Sequence, residues 1–175
     1  MNAHKFVAEH GVEEAKRVLE GAPEGAELFH TNTYIKNAHS EGHTDYLARW
    51  SDGFKDWVNA SADREFINES IDLSELKQVV ESVEIVNKFD NVQQATDAIK
   101  NAPEGATDYR KLSCSTRYIK QSERFFEWWD GGNWRRPTAP FTDETHILRF
   151  TELSRLEKAI ADYEIVESYK ENQHV

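Results

Sequence analysis

The sequence predicts an α+β protein built from a tandem duplication, each unit a helix, a small antiparallel sheet and a helix spanning about 80 residues. Two observations carry this reading. First, Ala22-Pro23-Glu24-Gly25-Ala26 returns 80 residues later as Ala102-Pro103-Glu104-Gly105-Ala106. Second, co-linear anchors flank the shared string. The same offset carries Val12 onto Val92, Ala15 onto Ala95, Leu19 onto Ile99, Leu76 onto Leu156 and Glu84-Ile85-Val86 onto Glu164-Ile165-Val166. Between the anchors, Tyr34-Ile35-Lys36 meets Tyr118-Ile119-Lys120 at 84 and Trp57 meets Trp134 at 77. Hairpin loops of unequal length produce that drift. The expected division is an N-terminal helical cap over residues 1–10, unit 1 over 11–90, unit 2 over 91–170, and a tail over 171–175.

The elements follow in chain order. Phe6 and Val7 mark a short amphipathic stretch that imitates the end of a closing helix and covers the open side of unit 1. Val12, Ala15, Val18 and Leu19 recur at helical spacing, and Gly21 with Pro23 ends that helix. In unit 2, Asn91 is placed to cap a helix whose apolar face runs through Ala95, Ala98 and Ile99. Pro-Glu-Gly then turns the chain, because proline fixes its φ and glycine tolerates φ above zero. Aromatic and β-branched runs at 31–36, 46–50 and 66–71 read as strands, with counterparts at 115–120, 125–129 and 146–150. Asp52-Gly53 and Asp130-Gly131-Gly132 are turn signals. Each unit closes with a helix: Asp72 caps Leu73, Leu76, Val80 and Val83, and Thr151 is the expected cap for Leu153, Leu156 and Ile160.

Composition narrows the function. The chain has 175 residues, 32 acidic against 21 basic, with a formal charge of −11 and 20 aromatic side chains. It is too aromatic for a disordered acidic tail, and no apolar run approaches the roughly 18 residues a membrane span requires. Residues 1–10 lack the apolar core of a secretion signal, and the single cysteine, Cys114, cannot form an internal disulfide. The expected location is the cytoplasm of a bacterial cell.

Enzymatic chemistry finds little support in the residue pattern. His39-Ser40-Glu41-Gly42-His43 offers two imidazoles and a carboxylate, but not at the His-Glu-x-x-His spacing that places ligands on one helix face. Cys114 has Arg110, Lys111 and Arg117 nearby to favour a thiolate but no histidine base in sequence reach. No glycine-rich phosphate loop occurs. The expectation is a non-enzyme without metal or cofactor.

Charge is distributed unevenly, and that is the sharper clue. Residues 110–136 carry seven cations against three anions, whereas residues 27–58 carry three against five. The basic sheet of unit 2 therefore supplies the candidate partner-binding residues Arg117, Lys120, Arg124, Trp128, Trp134, Arg135 and Arg136. Tryptophan interleaved with arginine suits a protein–protein hot spot, and also the stacking of single-stranded bases at ~1–3 kcal/mol each. The match of Trp50 and Trp57 to Trp129 and Trp134 favours packing for that pair. Along the closing helices, Asp72, Glu75, Glu81, Glu84, Glu157, Asp162 and Glu164 form a candidate acidic surface facing a basic groove on a partner.

The short helix, the Ala-Pro-Glu-Gly-Ala turn and the aromatic sheet ending in Trp128-Trp129-Asp130-Gly131-Gly132-Asn133-Trp134 resemble small accessory proteins, of unassigned function, in tailed bacteriophages and prophages. The resemblance implies an accessory product acting inside an infected cell. The expected function is binding that inhibits or redirects a host protein complex handling nucleic acid, a counter-defence role of the anti-CRISPR or anti-restriction kind. Single-stranded nucleic-acid binding by the basic sheet is the alternative.

Overall fold

The structure, a computed structural model, describes residues 1–38, 46–60, 68–113, 115–122, 126–136 and 150–172. Among these residues the chain is α+β, with five helices and two antiparallel sheets. It divides into two compact units: Met1–Glu81 with Glu164–Val175, and Ser82–Tyr163. The helices Leu73–Val86 and Leu153–Asn172 both run through the boundaries of these units.

Unit 1 begins with α1 (Ala3–His10), capped by Asn2, whose side chain accepts the Lys5 N–H at 2.8 Å. After Gly11 comes α2 (Val12–Glu20). Within residues 1–10, expected as a helical cap, Ala3, Phe6 and Val7 are buried and the Phe6 ring lies 6.3 Å from Phe29. The sheet has the order β4-β3-β2-β1-β5, formed by β1 (Leu28–His30), β2 (Thr33–Ala38), β3 (Tyr46–Ser51), β4 (Asp56–Ala60) and β5 (Ile71–Asp72). Thr31 and Asn32, expected within a strand, instead form a two-residue hairpin turn with φ of 44° and 64°. The strand expected over 66–71 begins only at Ile71; residues 66 and 67 lie outside the described residues. Helix α3 (Leu73–Val86) follows directly. As expected, Asp72 caps it, its Oδ1 accepting the Ser74 and Glu75 N–H groups at 2.8 and 3.0 Å and the Ser74 hydroxyl at 2.6 Å. These bonds, the serine's first, hold the Asp72 carboxyl below its ordinary range.

Unit 2 contains α4 (Val92–Lys100), capped by Asn91 as expected, with the Gln94 N–H at 2.9 Å. Its sheet has the order β10-β6-β7-β8-β9, from β6 (Asp108–Lys111), β7 (Thr116–Gln121), β8 (Phe126–Trp129), β9 (Trp134–Arg135) and β10 (Thr151–Glu152). Helix α5 (Leu153–Asn172) follows. Thr151, expected as its cap, lies in β10, and Glu152 is the residue that precedes the helix. Of the strand expected over 146–150, residues 146–149 lie outside the described residues. Ile85, Val86, Phe89, Ala95, Ala98, Tyr109, Tyr118, Leu156, Ala159 and Ile160 form the core.

The repeated turn does the same work in both units. Ala26 N–H donates to Pro23 O, and Ala106 N–H to Pro103 O, each at 3.0 Å. Gly25 and Gly105 both take φ of +82°, a conformation that disfavours any residue with a Cβ. The Tyr34 hydroxyl donates to Val18 O at 2.7 Å, and the Tyr118 hydroxyl to Ala98 O at 2.6 Å, tying sheet to helix. Leu73 N–H meets Glu27 O at 2.9 Å, and Leu153 N–H meets Thr107 O at 3.0 Å.

Candidate interaction surface

The register of the second sheet decides which candidates can act together, because residues directly opposed across strands share a face. Tyr109 opposes Tyr118, Lys120 opposes Glu127, and Trp129 opposes Trp134. This face turns toward the helices, as the Tyr118 bond to Ala98 shows. Arg110 opposes Arg117, and Asp108, Ile119, Trp128 and Arg135 form a continuous row; this is the other face. The seven sequence candidates therefore do not form one patch. Trp128, Arg117 and Arg135 share a face, whereas Trp134 and Lys120 lie opposite. Arg124 lies outside the described residues, as do Cys114, His39 and His43.

Trp134 and Lys120 serve the fold. The Trp134 indole N–H donates to Glu104 O at 3.1 Å, and its ring meets Trp129 edge-on at 5.2 Å. Lys120 lies across the same turn, its Nζ 3.5 Å from where a Cβ on Gly105 would stand. Unit 1 uses equivalent packing: Trp50 meets Trp57 at 5.5 Å, and Lys36 Nζ sits 4.6 Å above the Trp57 ring. In unit 2 Trp134 and Lys120 meet the repeated turn, and in unit 1 Lys36 does, its Cδ 3.7 Å from where a Cβ on Gly25 would stand.

Arg135 and Arg136 carry internal ion pairs. Arg135 Nε stands 2.6 Å from Asp130 Oδ2, and Arg136 Nε 3.2 Å from Glu127 Oε1. Asp130 Oδ1 also accepts the Gly132 and Asn133 N–H groups at 2.9 and 2.7 Å. The Arg135 bond first, and the two backbone donors after it, bring the Asp130 carboxyl down to about 2. A carboxyl lowered in the folded state contributes stability above its unfolded pKa and loses it as pH falls through the folded value. The hairpin between β8 and β9 is therefore expected to loosen between about pH 4 and pH 2. Amide exchange at Gly132 and Asn133 across that range checks it.

What remains exposed is a corner of the second face. Trp128 is 45% exposed, Arg117 is exposed and Arg110 is half-buried, whereas Ile119 on the same face is only 2% exposed. Arg110 did not stand among the sequence candidates, because only the hairpin register places it against Arg117. Like charges directly opposed on adjacent strands cost about 0.2–1 kcal/mol. Among the described residues no carboxylate pairs with either arginine. Asp108, diagonal to Arg117 in the register, is buried and accepts the Thr107 hydroxyl, and Asp130 is held by Arg135 and the turn.

The acidic candidates resolve differently. Asp162, expected on a surface, is buried at 7% exposure and accepts the Ser82 hydroxyl at 2.7 Å. Asp72 is the cap of α3, and Glu75 stands 3.6 Å from His4. Glu81 is half-buried, while Glu84, Glu157 and Glu164 are exposed. Unit 1 also holds a cleft of about 700 Å³ lined by Phe6, His10, Phe29, His30, Thr31 and Glu69. His30 lies 3.5 Å from Glu69, and the Thr31 hydroxyl is nearly equidistant from both ring nitrogens, at 3.2 and 3.4 Å. That places the hydroxyl over the ring rather than in line with a nitrogen, which is no geometry for proton transfer. Among the described residues no group of three or more His, Cys, Asp or Glu could hold a metal ion, and no helix is long and apolar enough to cross a membrane.

Comparison with family models, with curated proteins and with solved structures finds no match for this chain.

Proposed function

We propose that the chain is a duplicated, non-enzymatic interaction protein whose second unit binds an acidic surface of a protein complex. The carrying observation is the exposed corner where Arg110 and Arg117 oppose each other with no carboxylate paired to either among the described residues, and with the Trp128 indole on the same face. Arginine and tryptophan are the residues most enriched at protein hot spots, and an unneutralised cationic pair favours an anionic partner. Of the tryptophans expected to stack single strands, Trp129 and Trp134 pack on each other and on the core, which leaves Trp128 on the other face beside the half-buried Phe126. A formal charge of −11 further opposes a phosphate backbone. The resemblance to phage accessory proteins extends the reading to inhibition or redirection of a host complex that handles nucleic acid. The matched turns, hydroxyl bonds and strand orders of the two units support descent from one duplicated ancestor.

Affinity capture from bacterial lysate with and without nuclease tests the function. Recovery of the same protein in both arms, reduced at least about tenfold by Trp128→Ala, is expected. Recovery that disappears with nuclease would transfer the reading to nucleic acid.

A further inference from the structure

We infer that the Arg110–Arg117 pair is the grip for a phosphorylated side chain on the protein partner; this rests on the reading of that corner as a protein-binding surface. The two guanidinium groups arise from one cross-strand position, with Cα atoms about 5 Å apart by ladder geometry. Together they carry two positive charges that nothing among the described residues balances. A single carboxylate matches one of them. A phosphate monoester carries a charge of about −1.5 to −2 at neutral pH and three acceptor oxygens, so one group satisfies both planar forks.

The neighbouring row argues for an isolated phosphate rather than a track of them. Beside the arginines, the same face carries Glu152, Asp108, Ile119 and Trp128 in register. Asp108, diagonal to Arg117 in the same register, is buried and accepts the Thr107 hydroxyl, while the exposed Glu152 at the end of the row repels the further phosphates of a strand. Trp128, diagonal to Arg117 and about 7–8 Å away in a sheet, offers an apolar surface for the residue flanking the phosphorylated one. Asp130 does not compete for the arginines because Arg135, Gly132 and Asn133 hold it.

The test is NMR of the arginine Nε–Hε groups in the full chain, titrated with N-acetyl-phosphoserine amide at constant ionic strength. Saturable shifts at Arg110 and Arg117 are expected, lost in Arg110→Gln and in Arg117→Gln. Their apparent affinity falls at least about threefold at pH 5, where the phosphate becomes a monoanion. Each variant's amide spectrum reports whether the fold is retained. Shifts no larger than those from sodium chloride overturn the inference. If hexaglutamate then saturates the same two arginines, the acidic-surface reading stands and only the phosphate inference falls; if neither probe does, both fall. Preferential binding of thymidine 5′-monophosphate, with quenching of tryptophan fluorescence, would overturn the inference in favour of a nucleotide.

Discussion

Replacing Arg110 and Arg117 together by glutamate is expected to lower partner affinity at least about a hundredfold while changing the melting temperature little, because one like-charged pair replaces another. The reason lies in the register. Each arginine faces the other across β6 and β7 and neither holds a carboxylate among the described residues, so reversal removes no ion pair among them. Truncating or reversing charges that meet a complementary surface costs about 2–5 kcal/mol or more in binding, which is where the hundredfold comes from. The same reversal at Arg135 and Arg136 behaves differently. Those residues hold Asp130 and Glu127, so their double variant sets like charges against each other and loosens the β8–β9 hairpin. Calorimetric unfolding with a parallel binding titration separates the two cases. Equal loss of binding and stability in the Arg110/Arg117 variant would refute a surface role.

The second large effect is structural. Leu156→Ala should destabilise unit 2 by about 3 kcal/mol, within the 2–5 kcal/mol typical of buried leucine truncation. Leu156 is 0% exposed in the first turns of α5 and belongs to the cluster with Phe89, Tyr109 and Ile160. Leu76, also 0% exposed, holds the corresponding place in α3, and Leu76→Ala should cost a similar amount. Chemical denaturation followed by tryptophan fluorescence measures both. A cost under about 1 kcal/mol for Leu156→Ala would mean the core is not packed as described.

Helices and caps were legible in the sequence because their signals are local. The caps Asn91 and Asp72 each sit at the required distance from the N–H groups they accept, and the apolar stripes of α3 and α5 follow the helical period. The tryptophan pairs were legible from their recurrence. Strands β1 and β6 were not, because Leu28–His30 and Asp108–Lys111 are too short to alternate and are held by their neighbours in the sheet. Strand β9, two residues long, was hidden for the same reason.

The candidate site was half legible. Composition located the basic sheet, but only register separates Trp128 and Arg117 from Trp134 and Lys120, and only register reveals Arg110. Asp162 shows the opposite failure. Charge assigned it to the surface, although its position three residues after Ala159 and four before Val166 places it on the buried stripe of α5.

The most direct measurement is site-specific photocrosslinking with benzoylphenylalanine in place of Trp128, in cells where the chain acts, with the same substitution at Glu164 as an exposed control. The account predicts a discrete protein adduct from position 128 that persists after nuclease treatment and is lost when Arg110 and Arg117 are reversed. Adducts that are nuclease-sensitive, or equally strong from position 164, would contradict a protein partner docked on this corner.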